Sequence, residues 1–186
     1  MYKRQDKCFP VGLYGLSMYT IENYLTCLSG NANTKLIILR LSNPFGPFQD
    51  LQRGQGIINI LFENHFFKRQ TEIWGDGTAV RDYIYTSDVS KAIERAIDYS
   101  GKSKLFNIGS STGRSINEVI ASIEKALGDR LDIYKNLDRK NKISSNILDT
   151  SFAKRELAWE AEVDFNNGLL KTMAHYKKLS GSVSYA

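Results

Sequence analysis

The sequence predicts an α/β protein with parallel-type strands, and three observations carry that prediction. The short run Leu36-Ile37-Ile38-Leu39-Arg40-Leu41 is apolar almost throughout, the pattern of a buried strand. Helical periodicity precedes it: Met18, Ile21, Leu25 and Leu28 recur at three- and four-residue spacing, which predicts one buried helix face. A second strand–helix unit follows, where Lys104-Leu105-Phe106-Asn107-Ile108-Gly109 reads as a strand and Ser115-x-x-Glu118 opens a helix with a capping box.

Composition narrows the function classes. At 186 residues, 42% hydrophobic and 24% charged, the chain fits one soluble globular domain or a piece of a larger protein. No apolar run reaches membrane-spanning length, and residues 1–7 lack the apolar core of a signal peptide, so no membrane association is expected. Cys8 and Cys27 have no metal-ligand spacing and read as free thiols of a reducing, cytoplasmic compartment. The net charge of +5 favours anionic partners. Lys and Arg are interleaved with Asp and Glu, without an aromatic-plus-basic module, so the expected anion is a phosphorylated small molecule and not nucleic acid.

Along the chain, Tyr14 stands near the start of the first helix, where backbone N–H groups are unpaired and can polarise a phenol. The strand at 36–41 runs into Ser42-Asn43-Pro44-Phe45-Gly46-Pro47-Phe48-Gln49, whose two prolines and glycine fix an irregular backbone where open α/β sheets place ligands. A largely buried helix is predicted at 57–67 from Ile57, Ile58, Leu61, Phe62 and Phe66, with His65 read as packed or surface. Thr71-Glu72-Ile73-Trp74 is predicted as a strand, Gly75-Asp76-Gly77 as a hairpin-type turn, and residues 80–85 as the returning strand with alternation. A helix at 88–99 follows, capped by Thr86 or Ser87, with Val89, Ala92, Ile93, Ala96 and Ile97 inside. Arg81 beside Asp82 could be no more than a surface pair. The capped helix ends before Gly128; residues 131–134 suggest a strand, 139–142 a basic run, 152–159 a short helix and 165–179 a last helix ahead of a frayed tail.

Several stretches together resemble one family. Tyr14-Gly15-x-Ser17, with Glu22 further on, is similar to the catalytic helix of the extended short-chain dehydrogenase/reductases, and more narrowly of the nucleotide-sugar epimerases and dehydratases. Arg40, Asn43, Phe45, Gly46, Pro47 and Gln49 resemble that family's Arg-x-x-Asn-x-Tyr/Phe-Gly-Pro-x-Gln signature. Gly75-Asp76-Gly77 with Arg81-Asp82-Tyr83 and Asp88-Val89 resembles its most specific block, and Lys154-x-x-Leu157-Ala158-Trp159 its Lys-x-x-Leu-Gly-Trp. The chain departs from the pattern at Met18, where the family has the Lys of Tyr-x-x-x-Lys, and at Ala158, where it has Gly.

The resemblance implies the later strands of a Rossmann-like parallel sheet plus a smaller mixed α/β substrate-binding domain. It places the catalytic-Tyr helix, one strand and its loop in residues 1–50. Residues 51–186 are mainly substrate-binding, with the strand near 104–108 returning to the sheet. A Gly-rich dinucleotide-binding turn does not occur in the sequence, so the N-terminal NAD-binding half is expected to be absent from this chain. The implied activity is that of a UDP-hexose epimerase acting by NAD-mediated transient oxidation. A dehydratase or decarboxylase of the same fold, or a non-catalytic nucleotide-sugar-binding remnant, stands as the alternative. The implied roles are Tyr14 as the catalytic phenol, Tyr14 and Pro44 beside the cofactor NAD, and Asn43, Arg81 and Arg139 on the substrate diphosphate. Lys142 stands where the family has a ribose-binding Asp. Met18 can neither lower the Tyr14 pKa nor hold the nicotinamide ribose, and with the NAD-binding half also expected to be absent the chain alone is expected to be inactive and to bind NAD weakly. The family also dimerises through the Tyr-bearing helix, which makes a homodimer an expectation here.

Overall fold

The structure is a computed structural model that describes residues 1–31, 35–50, 55–138 and 143–183. Helix α1 (Leu13–Asn31) leads into strands β1 (Ile38–Leu41) and β2 (Asn43–Phe45), helix α2 (Ile57–Phe66), and strands β3 (Thr71–Trp74) and β4 (Val80–Tyr85). Then come helix α3 (Thr86–Asp98), strands β5 (Leu105–Ile108) and β6 (Gly113–Ser115), helix α4 (Ile116–Leu127) and strand β7 (Ile133–Asn136). Strand β8 (Ser145–Asn146), helix α5 (Ser151–Leu157) and helix α6 (Phe165–Val183) complete the order.

Among the described residues the strands form three small sheets. β1 pairs in parallel with β5, from Ile38 opposite Leu105 to Leu41 opposite Ile108, so the two apolar runs meet as parallel neighbours. β3 pairs in parallel with β7. β4 is the centre of the third sheet, parallel to β2 and β8 and antiparallel to β6. This strand separates two cores because successive side chains point to opposite faces. Tyr83 and Tyr85 join a cluster with Phe45, Ile58, Leu61, Phe62, Ile73, Val119, Ile123 and Leu169. Ile84 joins Phe106, Ile108, Ala153, Leu157 and Trp159 on the other side. Full burial of each large side chain stabilises by roughly 1.5–3 kcal/mol. Helix α6 lies close over the first cluster because Gly168 has no side chain: a Cβ there would stand 2.8 Å from Phe45 Cζ.

Local signals hold where their partners are local. Ser115 Oγ accepts the Glu118 N–H at 3.2 Å while Glu118 Oε2 accepts the Ser115 N–H at 2.7 Å, completing the capping box. Both Ser115 contacts hold the exposed Glu118 carboxyl below its usual range. Gly128 caps the end of α4 in the left-handed region. At the end of α5 the same conformation falls on Ala158, at φ 48°, where a Cβ is unfavourable.

Other expectations are corrected. The stretch 75–77 is a turn, with Gly75 and Gly77 at φ 80° and 83°, but no hairpin: β3 pairs with β7 and β4 with β2, β6 and β8. Turn chemistry is local, and the pairing is decided by partners some 60 residues away, as in Thr71 opposite Ile133. β4 shows no apolar–polar alternation because its last four residues are all buried, facing two cores. Helix α3 starts two residues earlier than expected, at Thr86, and neither Thr86 nor Ser87 caps it. Its Ile93 and Ile97 are exposed, as nothing described packs beyond Ala92 and Ala96. Leu41, in the strand expected to be buried, is also exposed.

The largest correction concerns α1. Met18, Ile21, Leu25 and Leu28 are all exposed, because no described element covers that face. The helix is instead tethered by polar contacts, Lys104 Nζ donating to Ser29 Oγ at 3.4 Å near its end and a stronger pair at its middle. Arg40 on β1 donates from Nε and Nη2 to the two Glu22 carboxylate oxygens at 2.9 and 2.5 Å, a bidentate pair. The Glu22 hydrogen bond raises the Arg40 pKa further above its ordinary value. At the last helix, α6 continues through Val183, past the expected end.

Candidate functional site

The β2–β4 ladder places two of the sequence-predicted residues side by side. Asn43 lies opposite Tyr83. Arg81, two residues back along β4, shares the Tyr83 face, about 7 Å along the strand. Together with Pro44, Glu72 and Trp74 they line a cavity of about 410 Å³. The Asn43 amide is held in place by donating to the Asp82 carbonyl at 2.8 Å. Arg81 Nη1 donates to the Val80 carbonyl at 2.8 Å. Among the described residues the Arg81 guanidinium pairs with no carboxylate, so a half-buried cation faces the cavity with donors to spare.

Arg81 and Asp82 do not form the surface pair that their adjacency allows. Asp82 is fully buried and points to the other face of β4. Its Oδ1 accepts from the Ser110 N–H and Oγ, both at 2.8 Å, and its Oδ2 from the Ser111 and Leu148 N–H groups at 3.2 and 3.3 Å. Asp82 therefore ties β4 to the β5–β6 connection and to the segment ahead of α5, which fixes the backbone from which Arg81 projects. Asp88 plays a similar part at α3, with Oδ2 accepting from the Glu162 and Val163 N–H groups at 3.1 and 2.9 Å.

Three contributions to the cavity were not singled out from the sequence. The first turn of α2 lines it with Gly56, Ile57 and Ile58. Gly56, at φ 89°, caps α2 with no side-chain hydrogen bond, so no cap side chain pairs the first N–H groups of that helix. The second is Tyr83, whose hydroxyl is pushed up to about 12 by burial, with Arg81 acting in the opposite direction. Tyr83 is neutral at physiological pH and is no general base. The third is Glu72, which faces the cavity from β3. The glycines before Ile57 were the available signal for the first; the other two depend on which face of a strand meets the cavity.

The remaining predicted residues are not gathered there. Tyr14, in the first turn of α1, is 67% exposed and lines neither this cavity nor a second one of about 590 Å³. Met18 lines that second cavity with Glu22, Arg40 and Cys8. Arg139 and Lys142 lie outside the described residues. Pro44 lines the first of these cavities and Tyr14 neither, so the two positions assigned to NAD do not meet in either of them. Among the described residues no group of three or more His, Cys, Asp and Glu could hold a metal ion, and no helix is long and apolar enough to cross a membrane.

Residues 2–109 match the model of the NAD dependent epimerase/dehydratase family. The chain belongs to that family. Its family relatives include the dTDP-4-dehydro-6-deoxyglucose reductase of Escherichia coli, 32% identical over 91% of this chain and 54% of the relative. The UDP-glucose 4-epimerase of Mycolicibacterium smegmatis is 30% identical over 92% of this chain and 55% of its own. Among solved structures, the UDP-glucose 4-epimerase of Thermotoga maritima, determined with UDP-glucose, superposes with a TM-score of 0.85. It is 32% identical over 92% of this chain and 55% of that one. The chain thus has the α/β fold of the epimerase/dehydratase family and spans about half the length of the curated relatives it matches.

Proposed function

We propose that the chain supplies the substrate side of a nucleotide-sugar epimerase, with a UDP-hexose as substrate. The observation that carries this reading is the cavity shared by Asn43 and Arg81, floored by the first turn of α2. A guanidinium fork donates two parallel N–H bonds to phosphate oxygens, and a helix N-terminus adds a positive dipole end. Asn43 contributes an amide on the neighbouring strand. A diphosphate fits that set of donors better than a neutral ligand does, and the UDP-glucose bound to the Thermotoga maritima relative is of this class.

Epimerisation in this reading uses NAD for hydride transfer. What this chain contributes is retention of the nucleotide sugar and the phenol Tyr14. Met18 stands where the family pattern has a Lys, so a second reading is favoured by that one residue: a nucleotide-sugar-binding protein without turnover.

Titration calorimetry with UDP-glucose on the 186-residue chain tests the first claim. Binding is expected, and Arg81→Ala is expected to weaken it by about ten-fold or more, the effect of losing charge-assisted hydrogen bonds to phosphate. Absence of binding, or an unaffected Arg81→Ala variant, rejects the assignment. Turnover by the Met18→Lys variant in the NAD-loaded enzyme, against none without it, separates the epimerase from the binding protein.

A further inference from the structure

Arg81 has a neighbour of like charge. In the antiparallel β4–β6 ladder it lies opposite Arg114, so the two side chains leave the same face of the sheet. Both residues are half-buried. The Arg114 guanidinium lies over the Phe165 ring, 4.4 Å from its centroid. It borders a cavity of about 230 Å³, lined also by Ser110, Thr112 and Asp164, which shares Phe45 and Tyr83 with the cavity of Arg81. The carboxylates around Arg114 are engaged elsewhere. Glu118 Oε2 accepts from the Ser115 N–H and hydroxyl, and Glu162 pairs with Lys91. Asp164 Oδ1 accepts the Asn166 and Asn167 N–H groups at 2.9 and 3.3 Å. Among the described residues Arg114 has no ion pair and donates no hydrogen bond. Like charges directly opposite each other on a ladder repel, and half-burial takes part of the solvent from both. The arrangement costs stability by itself and becomes favourable when negative charge lies against both guanidinium groups.

We propose that the two cavities are one extended site, in which Arg81 holds one anionic group of the ligand and Arg114 holds a second. This inference rests on the reading of the larger cavity as a nucleotide-sugar site. The second group is either the other phosphate of the diphosphate or a carboxylate carried by the sugar, since each presents two oxygens to a guanidinium fork. The contact with Phe165 steadies the Arg114 cation without taking any of its N–H groups in a hydrogen bond, so its donors stay available. The β4–β6 register, and not a sequence motif, brings Arg114 beside Arg81.

The test is calorimetric titration of UMP, UDP, UDP-glucose and UDP-glucuronate into the 186-residue chain and its Arg114→Gln, Arg114→Lys and Arg81→Ala variants, with circular dichroism as the check on folding. The unaltered chain is expected to bind UDP about ten-fold or more tighter than UMP, or UDP-glucuronate by that factor tighter than UDP-glucose, the worth of one hydrogen bond to a charged group. Arg114→Gln, which removes the charge, is expected to close the gap. Closure between UDP and UMP identifies the second phosphate; closure between UDP-glucuronate and UDP-glucose identifies the sugar carboxylate. Arg114→Lys keeps the charge and is expected to retain most of the gap. A gap closed as fully by Lys as by Gln overturns the inference, because packing and not charge was then lost. Neither gap in the unaltered chain, or gaps that survive Arg114→Gln, also overturn it, while weaker binding of all four ligands by Arg81→Ala leaves the Arg81 site in place. Failure of all four to bind the unaltered chain overturns the inference together with the reading on which it rests.

Discussion

Two tyrosines mark the contrast between a residue placed for chemistry by its motif and one placed by its surroundings. Tyr14 carries the family motif yet is exposed and lines neither cavity. Tyr83 sits in the cavity wall beside Arg81 with its hydroxyl raised to about 12. That shift has a consequence for stability. An unfolded tyrosine loses its proton near pH 10, whereas folded Tyr83 retains it to about 12. The folded state therefore binds more protons in this window, and stability falls as pH rises through it. The contribution is fully present below pH 10, and its loss is complete above the folded value, a change of the order of 2 kcal/mol. Urea unfolding at pH 8 and pH 11 should show a smaller alkaline loss for Tyr83→Phe than for the unaltered chain. Equal losses in the two proteins would show that the Tyr83 hydroxyl is solvated.

At the scale of elements, Asp82 ties β4 to two neighbouring segments through its carboxylate. One carboxylate accepts four hydrogen bonds from Ser110, Ser111 and Leu148, so it joins β4 to the connection between β5 and β6 and to the segment that follows β8. Asp82→Ala leaves those donors buried and is expected to lower stability by about 3–5 kcal/mol. Chemical denaturation measures this; a loss below about 1 kcal/mol would mean that water replaces the carboxylate.

This pattern also explains what was legible beforehand. The α4 capping box, the Gly128 cap and the β1–β5 runs depend on spacing within a few residues or on plain hydrophobicity, and the structure has them all. The Asn43–Arg81 cavity followed from motif resemblance, since neither residue type alone points to it. The Glu22–Arg40 clamp, the Asp82 hub and the pairing of β3 with β7 join residues 18 or more positions apart. No local pattern encodes such a choice. The periodicity of α1 predicts a buried face that is instead exposed, because a stripe of apolar residues states what a helix can bury, not what stands opposite it.

On the whole molecule, those apolar residues are the dominant surface feature. Leu16, Met18, Ile21, Leu25 and Leu28 are exposed on α1, and Ile93 and Ile97 on α3, while β1 pairs with β5 alone among the described strands. Contiguous apolar surface of this kind and an open strand edge favour association. Sedimentation velocity is expected to show a mass above the 21.1 kDa chain that rises with concentration. Replacing Ile21 and Leu28 together by Glu should shift the distribution toward the monomer. A strictly monomeric unaltered chain across the micromolar range would refute this.

The position of β4 between two hydrophobic clusters has one more outcome. Its last residues are buried in both clusters, so solvent is expected to reach them only when both come apart. Their amide hydrogens should accordingly be the slowest in the chain to exchange with deuterium, at a rate set by complete unfolding. The backbone next to Arg81 would then act as a built-in gauge: any ligand that occupies the cavity slows exchange at Tyr83, Ile84 and Tyr85 by the full factor of its binding.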